Sequence, residues 1–172
     1  MIERKIIWSE AGLPGLVLGI LCIAYFAVTS LLQLPLLTAI LWVAKLFGCI
    51  FIMYLFIRKF VSIHPQEASN SDSFRFGVAV SVLSAFIYSA GYFIFLQYIC
   101  PDFLSDAMNS AMQAYGSMLD SNSTEMIENM MPKLPTIGFF TNFLWCAFYG
   151  AIVSAVISRS VPSENPFKED SK

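Results

Sequence analysis

Four long apolar runs constrain this chain more than any other feature of its sequence. Leu13–Leu32, Phe76–Ile99 and Ile137–Ser158 contain no charged residue, and Leu36–Ile57 contains only Lys45. Each run is long enough to cross a hydrocarbon core of about 30 Å as a helix. An open strand in lipid would leave backbone polar groups unpaired, and the runs lack the two-residue alternation of barrel strands. The sequence therefore predicts an all-α integral membrane protein, a four-helix bundle with spans at about 13–32, 36–57, 76–99 and 137–158.

Length and composition exclude the main soluble classes. The chain has 172 residues, so a single membrane domain, 1–172, is the default. It is 57% hydrophobic and 13% charged, whereas a soluble chain is about 25% charged. A soluble domain of this length has too much surface for its volume to bury so many apolar side chains. A net charge of -2 without a basic patch also argues against nucleic acid as a partner, which leaves membrane lipids.

The basic residues predict the orientation in the membrane. Of the ten lysines and arginines, eight flank the runs on one side, Lys133 lies on the other side, and Lys45 lies within the membrane. By the positive-inside rule both termini are cytoplasmic, and 101–136 is an outer loop. The first run is too long for a cleaved signal peptide. The polar tail 162–172 is expected to be disordered.

Small residues mark the predicted helix contacts. Transmembrane helices approach closely through Gly, Ala and Ser, because lipid provides no hydrophobic drive for their association. Residues of this kind recur at four-residue spacing in three of the runs: Gly15, Gly19, Gly77, Ser81, Ala85, Ser89, Gly150 and Ser154. The longest stripe belongs to the third run, which is therefore the predicted central helix.

Lys45 is the most informative single residue. It lies near the middle of the second run, where a lysine costs about 2.5–3.5 kcal/mol on insertion scales and normally faces the bundle interior. Tyr25, Tyr88 and Tyr149 lie at similar depth and offer cation–π contacts and hydroxyl groups. Two interpretations stay open. Lys45 either contacts an anion or lipid headgroup or changes its protonation state, or it is a buried structural lysine. The second is favoured because no run carries an acidic partner.

The outer loop 101–136 has the pattern of an amphipathic helical segment. Apolar residues recur at helical spacing after Asp102, opposite a polar face, and a second short helix is predicted between Asn122 and Pro132. The predicted lid or partner-binding face comprises Met108, Met112, Tyr115 and Met130. Thioethers can ligate Cu(I), but no histidine or cysteine joins this cluster, so no metal is predicted.

The sequence does not predict an enzyme. The only histidine, His64, has no paired acid or nucleophile, and neither a phosphate-binding glycine loop nor an H-E-x-x-H motif occurs. The four cysteines form no C-x-x-C pair and are interpreted as small apolar packing residues. We therefore expect no catalytic residue and no cofactor.

Two short motifs within the four-span layout resemble domain-of-unknown-function family 4199. They are F-x-F-G at Phe74–Gly77 and Y-I-C-P-D-F at Tyr98–Phe103, and the likeness covers nearly the whole chain. The resemblance implies a small four-helix protein of the bacterial inner membrane, chiefly from Bacteroidota, without catalytic residues to carry over. Members of that family are often encoded near family-two glycosyltransferases of the polyprenyl-phosphate type, so the resemblance also implies an accessory role in lipid-linked sugar chemistry.

Two functions from different classes follow as hypotheses. The first is a non-enzymatic accessory or scaffold subunit of a membrane enzyme complex. The second is a small carrier or flippase in which Lys45 meets an anionic lipid or solute. Because four helices make a thin wall for a pathway, such a carrier would have to form a homo-oligomer.

Overall fold

Helices make up nearly all of the described structure. The computed structural model describes residues 2–32, 35–65, 68–115, 126 and 129–161. Its α-helices are, in chain order, α1 (Arg4–Leu32), α2 (Pro35–Ile63), α3 (Asn70–Ile94), α4 (Asp102–Tyr115) and α5 (Leu134–Ser160). A π-helical segment, Phe95–Ile99, follows α3, and a 3-10 turn, Met131–Lys133, precedes α5. No strand occurs within these ranges.

Four helical segments are long and apolar enough to cross a membrane. They are Arg4–Ser30, Leu36–Ile63, Asn70–Ile99 and Met131–Ser160. Within the described ranges this confirms the predicted all-α, multi-pass membrane fold. The helices run beyond the apolar stretches, because backbone hydrogen bonding continues through the polar residues at their ends.

The described residues fall into two compact units, 1–88 with 143–172, and Ser89–Asn142. The core of the first unit joins α1, α2, α3 and α5. Ile7, Ile57 and Val80 are almost completely buried in it. Phe60 stacks on Phe76, with ring centroids 4.3 Å apart and planes inclined by 8°. Offset ring stacking of this kind adds about 0.5–1.5 kcal/mol beyond the buried area, so this contact helps to hold α2 against α3.

Helices α3 and α5 cross through two matching Gly-x-x-x-Ser motifs. A methyl group added at Gly77 would lie 2.7 Å from Ser154 Oγ, and one added at Gly150 would meet Ser81. Each serine hydroxyl donates to the carbonyl of the glycine four residues earlier, Ser81 to Gly77 at 2.8 Å and Ser154 to Gly150 at 2.6 Å. The buried hydroxyls are thus satisfied within their own helices, while the glycines let the backbones approach.

Helix α1 approaches α3 through glycine as well. A methyl group added at Gly15 would lie 2.7 Å from Leu83 Cβ, and one at Gly19 would lie 2.7 Å from Ile87 Cβ. Successive glycines on α1 therefore meet successive turns of α3 in the same chain direction. α1 and α3 run parallel in this unit.

A capping box fixes the beginning of α3. Asp72 Oδ2 accepts hydrogen bonds from the backbone N–H of Ser69 at 3.3 Å and from its hydroxyl at 2.7 Å. The Asp72 N–H in turn donates to Ser69 Oγ at 3.2 Å. This reciprocal pairing satisfies donors that a helix start leaves free, so α3 begins six residues before the charge-free run starting at Phe76.

In the second unit, the π-helical segment leads into α4. The N–H of Cys100 donates to the carbonyl of Phe95 at 2.8 Å, and the rings of Phe95 and Phe103 meet edge to face. α4 begins at Asp102, where the sequence predicts a cap after Pro101. Its placement on the outer side of a membrane, and its action as an amphipathic lid, remain predictions.

Candidate functional site

The side chain of Lys45 reaches two aromatic rings within the first unit. Its Nζ lies 4.7 Å from the ring centroid of Tyr25 on α1 and 5.3 Å from that of Tyr88 on α3. Both distances fall inside the range of about 6 Å over which a ring quadrupole attracts a cation. An ammonium group from α2 therefore bridges the rings of two other helices.

Tyr149, the third tyrosine expected at this depth, is placed differently. Its side chain on α5 is 37% exposed. Among the described residues, the cation–π contacts of Lys45 are those with Tyr25 and Tyr88. Equal depth in the membrane brings residues together only when their helices also turn them toward each other.

Electrostatic compensation at Lys45 comes from rings and not from a carboxylate. Among the described residues, the ion pairs of side chains are His64 with Glu10 and Arg75 with Asp72. One cation–π contact contributes about 0.5–2 kcal/mol, and more when it is fully desolvated. Two such contacts are therefore comparable with the cost of about 2.5–3.5 kcal/mol for a lysine in mid-membrane. Ring contacts of this size offset much of the cost of a positive charge in an apolar segment.

Two cysteines meet beside this cluster. Cys22 Sγ on α1 and Cys49 Sγ on α2 lie 3.9 Å apart, and both thiols are free and half-buried. Cys49 follows Lys45 by one helical turn and so lies on the same face of α2. This proximity was not predicted from the sequence. The available signal was that Cys22 and Cys49 lie at similar distances along the chain from the link between α1 and α2.

A second polar cluster lies near the ends of the helices. His64 Nε2 is 3.2 Å from Glu10 Oε1, which connects the end of α2 to α1. Asp72 is completely buried, and Arg75 Nη1 approaches its Oδ1 to 3.8 Å. Asp72 Oδ1 has no hydrogen-bond partner among the described residues. The expectation that His64 lacks a paired acid is wrong, because the fold brings Glu10 to it from a distant part of the sequence. Asp72 was not singled out from the sequence.

The remaining predicted packing positions are buried. Ala85 and Ser89 on α3 are 1% and 0% exposed. Ser89 Oγ has no hydrogen-bond partner within the described part of the chain. Together with the glycine contacts, these positions place the predicted small-residue stripe of α3 on its buried side.

The predicted outer face is described only in part. Met108 and Met112 on α4 are half-buried, and Met130 is 44% exposed. The side chain of Tyr115 lies outside the described residues, as do most of the second predicted helix and the tail 162–172. In the described ranges, no three His, Cys, Asp or Glu side chains form a group that could hold a metal ion.

Comparisons with known proteins establish the family. The chain matches the model of a family described as "Protein of unknown function (DUF4199)" over residues 14–159, a range that includes Lys45 and both Gly-x-x-x-Ser motifs. No curated protein and no solved structure matches the chain. The matched range covers most of the 172 residues. The resemblance expected from the sequence motifs is confirmed, and the chain belongs to the DUF4199 family.

Proposed function

We propose that this membrane protein is a non-enzymatic accessory or scaffold subunit of a membrane enzyme complex. The observation that carries the proposal is the binding of the Lys45 ammonium by the rings of Tyr25 and Tyr88. The only charged residue of the four apolar runs then has its contacts inside its own fold. A charge used in this way stabilises a helix arrangement and needs no substrate.

The enzyme that we propose as partner is a glycosyltransferase of the polyprenyl-phosphate type. This part of the proposal rests on the family resemblance, which associates such proteins with lipid-linked sugar chemistry. The bacterial inner membrane, with both termini in the cytoplasm, is the corresponding location. The excess of lysine and arginine on one side of the spans supports that orientation.

Purification of the tagged chain from native membranes tests the proposal. Membranes are dissolved in a mild detergent, and the co-eluting proteins are identified and quantified by mass spectrometry. A membrane enzyme recovered in a fixed ratio to the chain is the expected result. Recovery of the chain alone, after cross-linking in intact membranes as well, would contradict an accessory role.

The second candidate is an oligomeric carrier or flippase for an anionic lipid or solute. Lys45 favours it as well, because its side chain joins α1, α2 and α3 within the membrane-spanning segments. The two functions differ in what Lys45→Met does. A carrier loses its anionic ligand while its fold persists, whereas an accessory subunit keeps both its fold and its partner.

A further inference from the structure

A groove lies between α1 and α3 at the end where both helices begin. Its volume is about 310 Å³, at the lower end of the usual range for ligand pockets. The first turns of the two helices line it, through Arg4, Ile7, Trp8, Phe74, Arg75, Val78 and Ala79. Two cationic side chains and five apolar ones therefore share one small cavity.

The apolar walls of the groove lie at the water-facing end of the membrane-spanning segment. The charge-free run of α3 begins at Phe76, so Val78 and Ala79 lie within it and Arg75 lies just before it. Trp8, which is 50% exposed, lines the groove from α1. Tryptophan is favoured at the boundary between lipid and water, so the groove spans the headgroup level and the top of the hydrocarbon.

The guanidinium groups of Arg4 and Arg75 have donors available for a ligand. Arg75 Nη1 lies 3.8 Å from Asp72 Oδ1, which orients the side chain but is too long for a hydrogen bond. Arg4 is exposed and forms no ion pair within the described part of the chain. Glu10 on α1 contacts His64, and Glu3, which precedes α1, does not line the groove.

We propose that this groove binds an acidic phospholipid by its headgroup phosphate. The planar guanidinium forks of Arg4 and Arg75 fit the oxygens of a phosphate group. Val78 and Trp8, which are partly exposed, contact the beginning of the acyl chains. This charge complementarity, combined with walls that continue into the apolar segment, selects a lipid and not a free anion. The lipid site is separate from Lys45 and does not depend on the accessory role.

Quenching of Trp8 fluorescence by brominated lipids tests the site. Trp42→Phe and Trp145→Phe remove the other two tryptophans, which are 57% and 69% exposed, so these changes leave the core intact. The protein is reconstituted into phosphatidylcholine vesicles that contain brominated phosphatidylglycerol or, in parallel, brominated phosphatidylcholine. We expect brominated phosphatidylglycerol to quench Trp8 several-fold more effectively, because the arginines concentrate it at the groove.

Arg4→Gln and Lys5→Gln form a matched pair of variants. Both remove one positive charge at neighbouring exposed positions, but only Arg4 lines the groove. Arg4→Gln should lower the preference for phosphatidylglycerol by more than about tenfold, because it removes a charge-assisted hydrogen bond to the phosphate as well as one charge. Lys5→Gln should lower it by at most about fivefold, the general contribution of one basic residue near an anionic surface.

Two outcomes would overturn the lipid site. One is an equal effect of Arg4→Gln and Lys5→Gln, which would indicate general attraction to the surface. The other is relief of quenching by inorganic phosphate but not by chloride at the same ionic strength, which would indicate a free anion site. If the tryptophan replacements impair folding, stabilisation of the otherwise unchanged chain by phosphatidylglycerol is measured by thermal unfolding with the same two variants. The same loss in both variants there would equally contradict the site.

Discussion

At the scale of single residues, the contact between Lys45 and Tyr25 has a measurable energy. Tyr25→Leu removes one of the two rings at the ammonium, and we expect the free energy of unfolding to fall by about 1–2 kcal/mol. Tyr25→Phe keeps a ring and should keep most of that energy. Reversible unfolding in detergent mixtures, followed by helical circular dichroism, measures both. A loss of equal size in the two variants would assign the contribution to the hydroxyl group instead.

Lys45→Met tests whether the ring contacts of Lys45 offset the cost of its charge. Removing the charge abolishes an insertion cost of about 2.5–3.5 kcal/mol together with the two ring contacts. Because these terms nearly cancel, we expect stability to change by less than about 1 kcal/mol. In the Lys45→Met background, Tyr25→Leu should cost less than it does beside the native lysine. Additive effects of the two changes would mean that the ring and the ammonium do not interact.

Gly77 tests the crossing of α3 and α5. Alanine at this position places a methyl group 2.7 Å from Ser154 Oγ, and overpacking of this kind costs about 1–3 kcal/mol. Gly48→Ala is the control, since a methyl group there meets nothing within 4 Å, and alanine favours the helix. The same unfolding measurement should show a loss for Gly77→Ala and no loss for Gly48→Ala. Equal stability of the two variants would contradict the close approach.

At the scale of helices, Cys22 and Cys49 report the rotation of α1 against α2. Their sulfurs are 3.9 Å apart, so we expect an oxidant to join them in a disulfide, whose S–S bond is about 2.05 Å long. A membrane-permeant oxidant should therefore block these two thiols from alkylation, with a mass decrease of two hydrogens. Cys49→Ser should abolish the change, while Cys100 should remain alkylated throughout. Persistent alkylation of both Cys22 and Cys49 would contradict the described hairpin.

The sequence predicts well how deep a residue lies in the membrane, but it predicts poorly how each helix is rotated about its axis. The four apolar runs were predictable because each must satisfy its own backbone in lipid. The same reasoning places Lys45, Tyr25 and Tyr88 at one level, where the structure brings them together. It places Tyr149 there too, yet Tyr149 has no such contact with Lys45 in the described structure. The hydropathy of a run is the same for every rotation of its helix. The side-chain contacts between helices can therefore be identified only from the tertiary structure.

Contacts at the helix ends were not predicted, because they lie outside the apolar runs or join distant parts of the sequence. The capping box of Ser69 and Asp72 has a recognisable S-x-x-D spacing, although it lies before the apolar run that defines the span. The contact between Glu10 and His64 joins residues far apart in the sequence, and no local pattern indicates it. The groove at Arg4 and Arg75 likewise exists only because α1 and α3 run side by side.

At the scale of the whole molecule, the distribution of charge predicts that both termini face the cytoplasm. Eight of the ten basic residues flank the spans on that side. A fluorescent protein fused after Lys172 should fold and fluoresce, and alkaline phosphatase at the same position should be inactive. Active phosphatase in that fusion would reverse the orientation and place the arginine-lined groove on the other face of the membrane.

We propose above all that Lys45 serves the fold of an accessory subunit and does not bind a transported ligand. The most direct measurement compares tagged wild-type chain with Lys45→Met, each purified from native membranes, and quantifies the co-eluting membrane enzyme by mass spectrometry. We expect the same enzyme at the same ratio to the chain in both samples. Loss of a bound anionic ligand on Lys45→Met, from a folded homo-oligomer that carries no enzyme in either sample, would contradict it.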